Sequence, residues 1–269
     1  MQNAITFLGT GGDSIVVGSQ RRASGGILFR FGNNTFYIDP GPGALVRAKQ
    51  FDINPREITA VFVSHNHLNH VGGLNSILSA MTYAGIDRHG VLVADDEVIH
   101  GSNEEFPGVS KFHKKLVERF IAIKPGTRIG INEINVVATT AKHTPSSIGF
   151  KFYTDKFTVS YLGDTEYCKE LVEEHNDSDV IIINCKNPAG LKEPGHMNSD
   201  DVVNLLLKIK PKLVVLTHFG VKMLDADPLY EAREIHKKTG VQVIAAKDGF
   251  VVNPVSYASS LKQKKLGSF

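Results

Sequence analysis

Cysteine is scarce in this chain of 269 residues. Cys168 and Cys185 are the only two, too few for a disulfide-stapled secreted scaffold. A reducing, cytoplasmic setting is the expectation. No run of 18 or more apolar residues occurs, so no membrane span is expected. The start, Met1-Gln2-Asn3-Ala4-Ile5-Thr6-Phe7, has no basic stretch ahead of an apolar one and reads as a first strand, not a signal peptide. Charge of one sign is also lacking: 30 basic against 28 acidic side chains leave +2, so charge alone gives no strong affinity for a polyanion. No internal repeat of solenoid length and no linker interrupts the chain.

What the chain does have is 42% apolar residues, enough for a full core, punctuated by glycine-rich turns. Ala4 to Leu8, Ile27 to Phe31 and Thr35 to Ile38 read as short strands between Gly9-Thr10-Gly11-Gly12, Gly25-Gly26 and Gly32-Asn33-Asn34. Helices are expected near Ala44 to Gln50, Gly72 to Thr82 and Ser110 to Glu118, with a strand at Val91 to Ala94. Further strands are expected at Ile134 to Thr140, Ile148 to Tyr153 and Phe157 to Leu162. The second half alternates more regularly. Strands at Val180 to Ile183, Leu213 to Leu216 and Val241 to Ala245 are separated by helices at Ser199 to Ile209 and Pro228 to Lys238. A meander followed by βα units implies two packed sheets with helices outside.

Histidine is the residue this sequence concentrates. Ser64-His65-Asn66-His67-Leu68-Asn69-His70 follows directly on the apolar run Ala60-Val61-Phe62-Val63. One His-x-His in a loop is commonplace. Three imidazoles in one turn at a strand end are costly unless a cation collects them, because each opposes charge on the others. His143, Asp164 and His218 each close or follow another apolar stretch, where strand ends carry functional loops. Neutral imidazole and carboxylate are the donors that zinc and similar divalent ions take.

Ser-His-x-His-x-x-His, a lone histidine, Leu162-Gly163-Asp164-Thr165 and a late Thr217-His218 together resemble the metallo-β-lactamase superfamily. Phe7-Leu8-Gly9-Thr10-Gly11-Gly12 and Ile38-Asp39-Pro40-Gly41-Pro42-Gly43 are similar to the opening of its ribonuclease Z-like branch, which also holds cyclic-phosphate phosphodiesterases. The likeness runs from residue 5 to about 252. It implies an α/β fold, the four-layer αββα sandwich, over residues 1–253, with a polar C-terminal tail at 254–269. Ser259 to Phe269 are the residues expected to fray.

The same resemblance implies two divalent metal ions, zinc first, with manganese or iron as alternatives. His65, His67 and His143 would hold one, His70 and His218 the other, with Asp164 bridging. Asp39 would orient a ligand histidine from behind, or else is a turn residue in Asp-Pro-Gly. The chemistry implied is hydrolysis by a metal-bound hydroxide. His196, in Pro194-Gly195-His196-Met197-Asn198, resembles the branch's non-ligand histidine that protonates the leaving group. A homo-oligomer, a dimer, is also expected.

One departure stands out. Asn69 occupies the position where the family has an aspartate ligand of the second metal, so that site should be weaker. The catalytic set expected is then His196, Asp164 and Asn69. Residues 144–163 leave no room for the tRNA-gripping arm of many ribonuclease Z enzymes, and residues 165–217 none for the large insert of the β-CASP branch. A small or cyclic phosphodiester or a nucleotide is the expected substrate, with nucleic acid as a wider class. Lys186, beside the loop Asn187 to Leu191, could meet a phosphate or be a solvated lysine, and Ser146 is a second candidate substrate contact. A catalytically weakened binder of a nucleotide or partner is one alternative. Hydrolysis of a carboxylic ester, lactone or thioester is another.

Overall fold

Ala60-Val61-Phe62-Val63 is a strand without a polar face, and the computed structural model, which describes residues 3–259, shows why. Ala60 and Phe62 face a core between two sheets, whereas Val61 and Val63 face helices outside. Strand side chains alternate, so a strand covered on both faces reads as an unbroken apolar run. Val180 to Ile183 and Leu213 to Leu216 divide the same way, between the inter-sheet core and a second helical layer.

The first sheet takes β1 (Ala4–Phe7), β2 (Ile27–Phe31), β3 (Asn34–Ile38), β4 (Ala60–Val63), β5 (Val91–Asp95) and β6 (Arg119–Ile123). The second takes β7 (Arg128–Ile131), β8 (Ile134–Thr140), β9 (Ile148–Tyr153), β10 (Thr158–Tyr161), β11 (Val180–Asn187), β12 (Met197–Asn198), β13 (Leu213–Thr217) and β14 (Val243–Ala245). β15 (Val251–Val252) returns to the first. The orders are β15-β1-β2-β3-β4-β5-β6 and β14-β13-β11-β10-β9-β8-β7, with β12 paired to β11. β3 to β6 run parallel, as do β10, β11, β13 and β14.

Ten α-helices lie outside the sheets among the described residues: α1 (Ser14–Gly18), α2 (Ala44–Gln50), α3 (Leu68–Val71), α4 (Leu74–Met81), α5 (Asp96–His100), α6 (Lys111–Lys114), α7 (Glu170–His175), α8 (Ser199–Leu206), α9 (Val221–Asp225) and α10 (Pro228–Thr239). Ala48, Leu74, Ile77 and Leu78 of α2 and α4 cover the first sheet. Leu171, Val202, Leu205 and Ile235 of α7, α8 and α10 cover the second. The expected αββα sandwich is therefore the fold. Between the sheets, Phe152 meets the rings of Phe29, Phe36 and Phe62 at 5.1–5.7 Å.

The structure differs locally from the expected elements. The charged helix expected over 110–118 is only α6, because Leu116 and Val117 are buried and the chain turns at once to pair β6 with β5. The helix expected over 72–82 is α4 and begins only at Leu74, because Gly72-Gly73 separate it from α3 and the Gly73 amide donates to the Pro40 carbonyl at 2.7 Å. Of the residues expected in the tail, Pro254–Tyr257 form a short 3₁₀ helix, Ala258 is buried, and the Ser259 amide donates to Asp179 at 2.9 Å. The remainder, 260–269, lies outside the described residues.

His175 is fully buried, with Nδ1 2.9 Å from Ser160 Oγ and no partner for Nε2 among the described residues. Burial, and then the Lys151 ammonium, push its pKa down to about 3. An unfolded histidine takes its proton near pH 6.5. Above that pH both states are neutral. As pH falls from 6.5 towards 3, the unfolded chain binds a proton that the folded one refuses, so stability is lost across that window. His175→Gln should flatten the fall in unfolding free energy between pH 6.5 and 4 by up to roughly 1.4 kcal/mol per pH unit. Urea titrations at several pH values measure it, and equal slopes for the two proteins would show that His175 does not contribute.

Candidate metal centre

The centre lies where parallel strands end, the usual place for a site in such sheets. Ser64 and His65 continue from β4, and His67 is the residue before α3, so one turn of helix returns His70 beneath the first two. Asp39 follows β3 and His218 follows β13, both in the left-handed region, at φ 48° and 62°. That conformation is uncommon for non-glycine residues and costs on the order of 1–3 kcal/mol, so the surroundings hold it in place. Gly12 permits one such approach: a Cβ there would stand 2.1 Å from the His218 carbonyl oxygen.

The imidazoles converge on one carboxylate oxygen. Asp164 Oδ2 is buried with no hydrogen-bond partner among the described residues, 3.2 Å from His218 Nε2, 3.4 Å from His70 Nε2, 3.6 Å from His196 Nδ1 and 3.8 Å from His65 Nε2. Its other oxygen accepts from Asn184 Nδ2 at 2.6 Å. Two nests result, His65, His67, His143 and Asp164, and His70, Asp164 and His218, each with donor atoms within 4.8 Å of one another.

Hydrogen bonds behind the rings set which nitrogens face inward. His70 Nδ1 donates to Asp39 Oδ2 at 2.8 Å and His143 Nδ1 to the Gly195 carbonyl at 2.8 Å. Ser64 Oγ donates to Asp39 Oδ2 at 2.7 Å and accepts from His65 Nδ1 at 3.0 Å. Lone pairs therefore point inward, with His65 Nε2 and His67 Nδ1 only 3.0 Å apart and His70 Nε2 and His218 Nε2 2.9 Å apart. Such pairs repel unless a cation lies between them. Burial, together with the neighbouring imidazoles, holds His65 and His218 well below their ordinary pKa and brings His67 to about 4. Burial opposes charge on His70 too, but Asp164 and Asp39 raise it to about 10, so positive charge is favoured at that ring. Burial works against an ionised Asp164, yet His218 and His70 keep its pKa well below the carboxylate range. An ionised carboxylate beside imidazoles kept neutral at His65, His67 and His218, with positive charge favoured at His70, fits divalent ions.

Asn69 Nδ2 lies 3.0 Å from His218 Nε2, at the edge of the second nest. Turning the amide over offers an oxygen in the same place but no charge. His196 belongs to neither nest although its Nδ1 approaches Asp164; its ring is partly buried, 4.9 Å from that of His143. Asp39 is the hub behind the site, accepting also from Tyr161 Oη at 2.6 Å and the Ser64 amide at 2.7 Å.

Both substrate candidates already have partners within the chain. Lys186 is ion-paired to Glu193 at 2.6 Å. The loop beside it does not cover the centre but packs on α8 and α10: the Ala189 amide donates to Glu231 at 3.1 Å and the Gly190 amide to Asp200 at 2.7 Å. Ser146 Oγ donates to Asp95 at 2.9 Å.

Sequence reasoning missed Ser64, Tyr161, Asn184 and Gly195. Tyr161 and Asn184 end or follow apolar runs, the same signal that marks the ligands. Gly195 has φ 78°, and a Cβ there would stand 2.6 Å from His143 Nδ1, so a glycine lets its carbonyl hold that ring.

Residues 34–219 match the beta-lactamase superfamily domain. The uncharacterized protein MJ1374 of Methanocaldococcus jannaschii is 32% identical over 255 residues, covering 94% of this chain and 95% of that protein. The ribonuclease Z of Archaeoglobus fulgidus is 23% identical over 292 residues, covering 87% and 94%. Among solved structures, the metallo-beta-lactamase fold protein YhfI of Bacillus subtilis superimposes with a TM-score of 0.77 at 20% identity, covering 94% of this chain and 99% of that one. The matched domain spans every histidine and carboxylate of the centre from Asp39 to His218, and the chain belongs to the metallo-β-lactamase superfamily, whose members are generally hydrolases.

Proposed function

We propose that this chain is a metal-dependent phosphodiesterase acting on small or cyclic phosphodiesters, with His196 as the proton donor to the leaving oxygen. The observation that carries the reading is Asp164 Oδ2, ionised, buried, unpartnered and ringed by imidazoles. Zinc suits this donor set, and manganese or iron take the same donors. Divalent ions there supply Lewis acidity and an acidified water. His65, His67, His143 and Asp164 would hold one ion, and His70, His218 and Asp164 the other, with Asn69 beside it.

The remaining work falls to side chains. Asn184 fixes Asp164 through its Oδ1, and Asp39 fixes the tautomer of His70. His196 lies beside the carboxylate that both nests share yet belongs to neither, which would leave its proton for the substrate. Burial lowers its pKa, and an alkoxide developing next to it draws the proton outward. The phosphodiester reading draws on the ribonuclease Z relatives. The compact substrate draws on residues 144–163, where β9 and β10 are joined and flanked only by short segments that leave no room for a long arm. Two free cysteines, Cys168 half-buried and Cys185 buried, accord with a reducing cytoplasm. The weakened-binder reading has one observation in its favour, the uncharged Asn69.

Turnover of bis-p-nitrophenyl phosphate by the metal-loaded protein tests the reaction class, and no turnover with zinc, manganese or iron would refute it. His196→Ala should reduce turnover of alkyl diesters by about 10²–10⁴-fold, less for good leaving groups, with metal content unchanged. Loss of metal from that variant would make His196 a ligand. After dialysis, elemental analysis should find close to one tightly held ion per chain, rising to two in Asn69→Asp. Two tightly held ions in the unaltered protein would refute the asymmetry.

A further inference from the structure

On the far side of His196 from the centre lies a cleft of about 470 Å³, lined by Tyr167, Lys192, Glu193, His196, Asp201 and Asn204 among others. We propose that this cleft receives the leaving half of the diester and that it fits a nucleoside monophosphate, the base on Tyr167 and the phosphate at Lys192. The inference rests on the phosphodiesterase reading and deepens it by naming the leaving group.

Position comes first. A proton donor must lie on the side from which the leaving oxygen departs. His196 is the wall shared by the centre and this cleft, so the departing half lies in the cleft. The volume falls within the range of small-molecule sites, roughly 300–1,000 Å³.

The lining chemistry selects the ligand. Tyr167 follows closely on Asp164 and is held by Lys208 Nζ, 2.6 Å from its hydroxyl and 5.2 Å from the ring centroid. Those two distances put the ammonium off the end of the ring rather than over it, so it does not block a ring face from stacking. Asp201 and Asn204 lie one helical turn apart on α8 and both line the cleft. Asp201 is engaged in the helix cap, whereas the exposed Asn204 amide has no partner among the described residues and can meet the edge of a base. Two of the acids are already neutralised: Glu193 by Lys186 at 2.6 Å and Glu166 by Lys142 at 2.9 Å. Lys192 has no ion-pair partner among the described residues and is exposed. A single unpaired lysine serves one phosphate, whereas an RNA track needs many.

Calorimetric titration of the zinc-loaded protein with adenosine monophosphate and with ribose 5-phosphate tests this without turnover. The unaltered protein should prefer adenosine monophosphate by about five-fold or more, the value of one base on an aromatic ring. Tyr167→Ala should abolish that preference and Tyr167→Phe retain it. Asn204→Ala, an exposed change that spares the fold, should reduce it. Lys192→Ala should weaken both ligands alike. No preference in the unaltered protein, or a preference that survives both Tyr167→Ala and Asn204→Ala, overturns the proposal. So does tighter binding of an oligoribonucleotide with a salt slope worth several phosphates. Hydrolysis of bis-p-nitrophenyl phosphate together with any of these results would leave the phosphodiesterase reading standing and remove only the cleft assignment.

Discussion

A buried carboxylate oxygen that accepts no hydrogen bond is costly to fold, and Asp164 Oδ2 is such an atom. It persists because its other oxygen is tied to Asn184, and because Asn184 Nδ2 also reaches Tyr161 Oη at 3.1 Å. Tyr161 in turn donates to Asp39, which receives His70 and Ser64. One polar network thus runs from the strand ends of the first sheet to those of the second, through an interior otherwise packed with phenylalanine. A network of this kind is stable only when each member is satisfied. Among the described residues two atoms of this network have no partner, Asn184 Oδ1 and Asp164 Oδ2, and the second faces the centre, where a cation would complete it. Packing of the two sheets and construction of the site are therefore one problem: displacing either sheet would separate Asp39 from Tyr161.

Much of this was legible in the chain. Unbroken apolar runs such as Ala60 to Val63 and Val180 to Ile183 announce strands covered on both faces, and the polar residue that ends each run falls at a sheet edge. His65, His143, Asp164 and His218 all lie within a few residues of the end of such a run, and their metal-binding side chains mark them there. Asn184 and Tyr161 are placed likewise but were passed over, because an amide and a phenol carry no metal-ligand signature. Their role appears only when two strand ends meet across the inter-sheet core.

The misread elements have a common physical origin. α3 and α6 are single turns whose existence depends on tertiary contacts, since so short a helix has no stability of its own. β6 and β7 are edge strands, half-exposed, so their apolar pattern is diluted with arginine. Lys186 looked free in the sequence because Glu193 follows it only across a turn, and the pair closes through β11 and the segment before His196.

The same electrostatics bear on Asn69. The first nest has three imidazoles and a shared carboxylate. The second has two imidazoles, the same carboxylate and a neutral amide. Asp39 supplies part of the missing charge indirectly, since a carboxylate on Nδ1 makes the opposite nitrogen of His70 a stronger donor. It cannot supply all of it, because the imidazole ring lies between Asp39 and the donor site. A centre left short of one negative charge favours an anionic oxygen from outside the protein. Under the proposed reading that oxygen belongs to the substrate's phosphate. The substitution that weakens the second ion's hold thus also increases the centre's attraction for a charged diester, so affinity for metal and affinity for substrate become coupled through a single side chain.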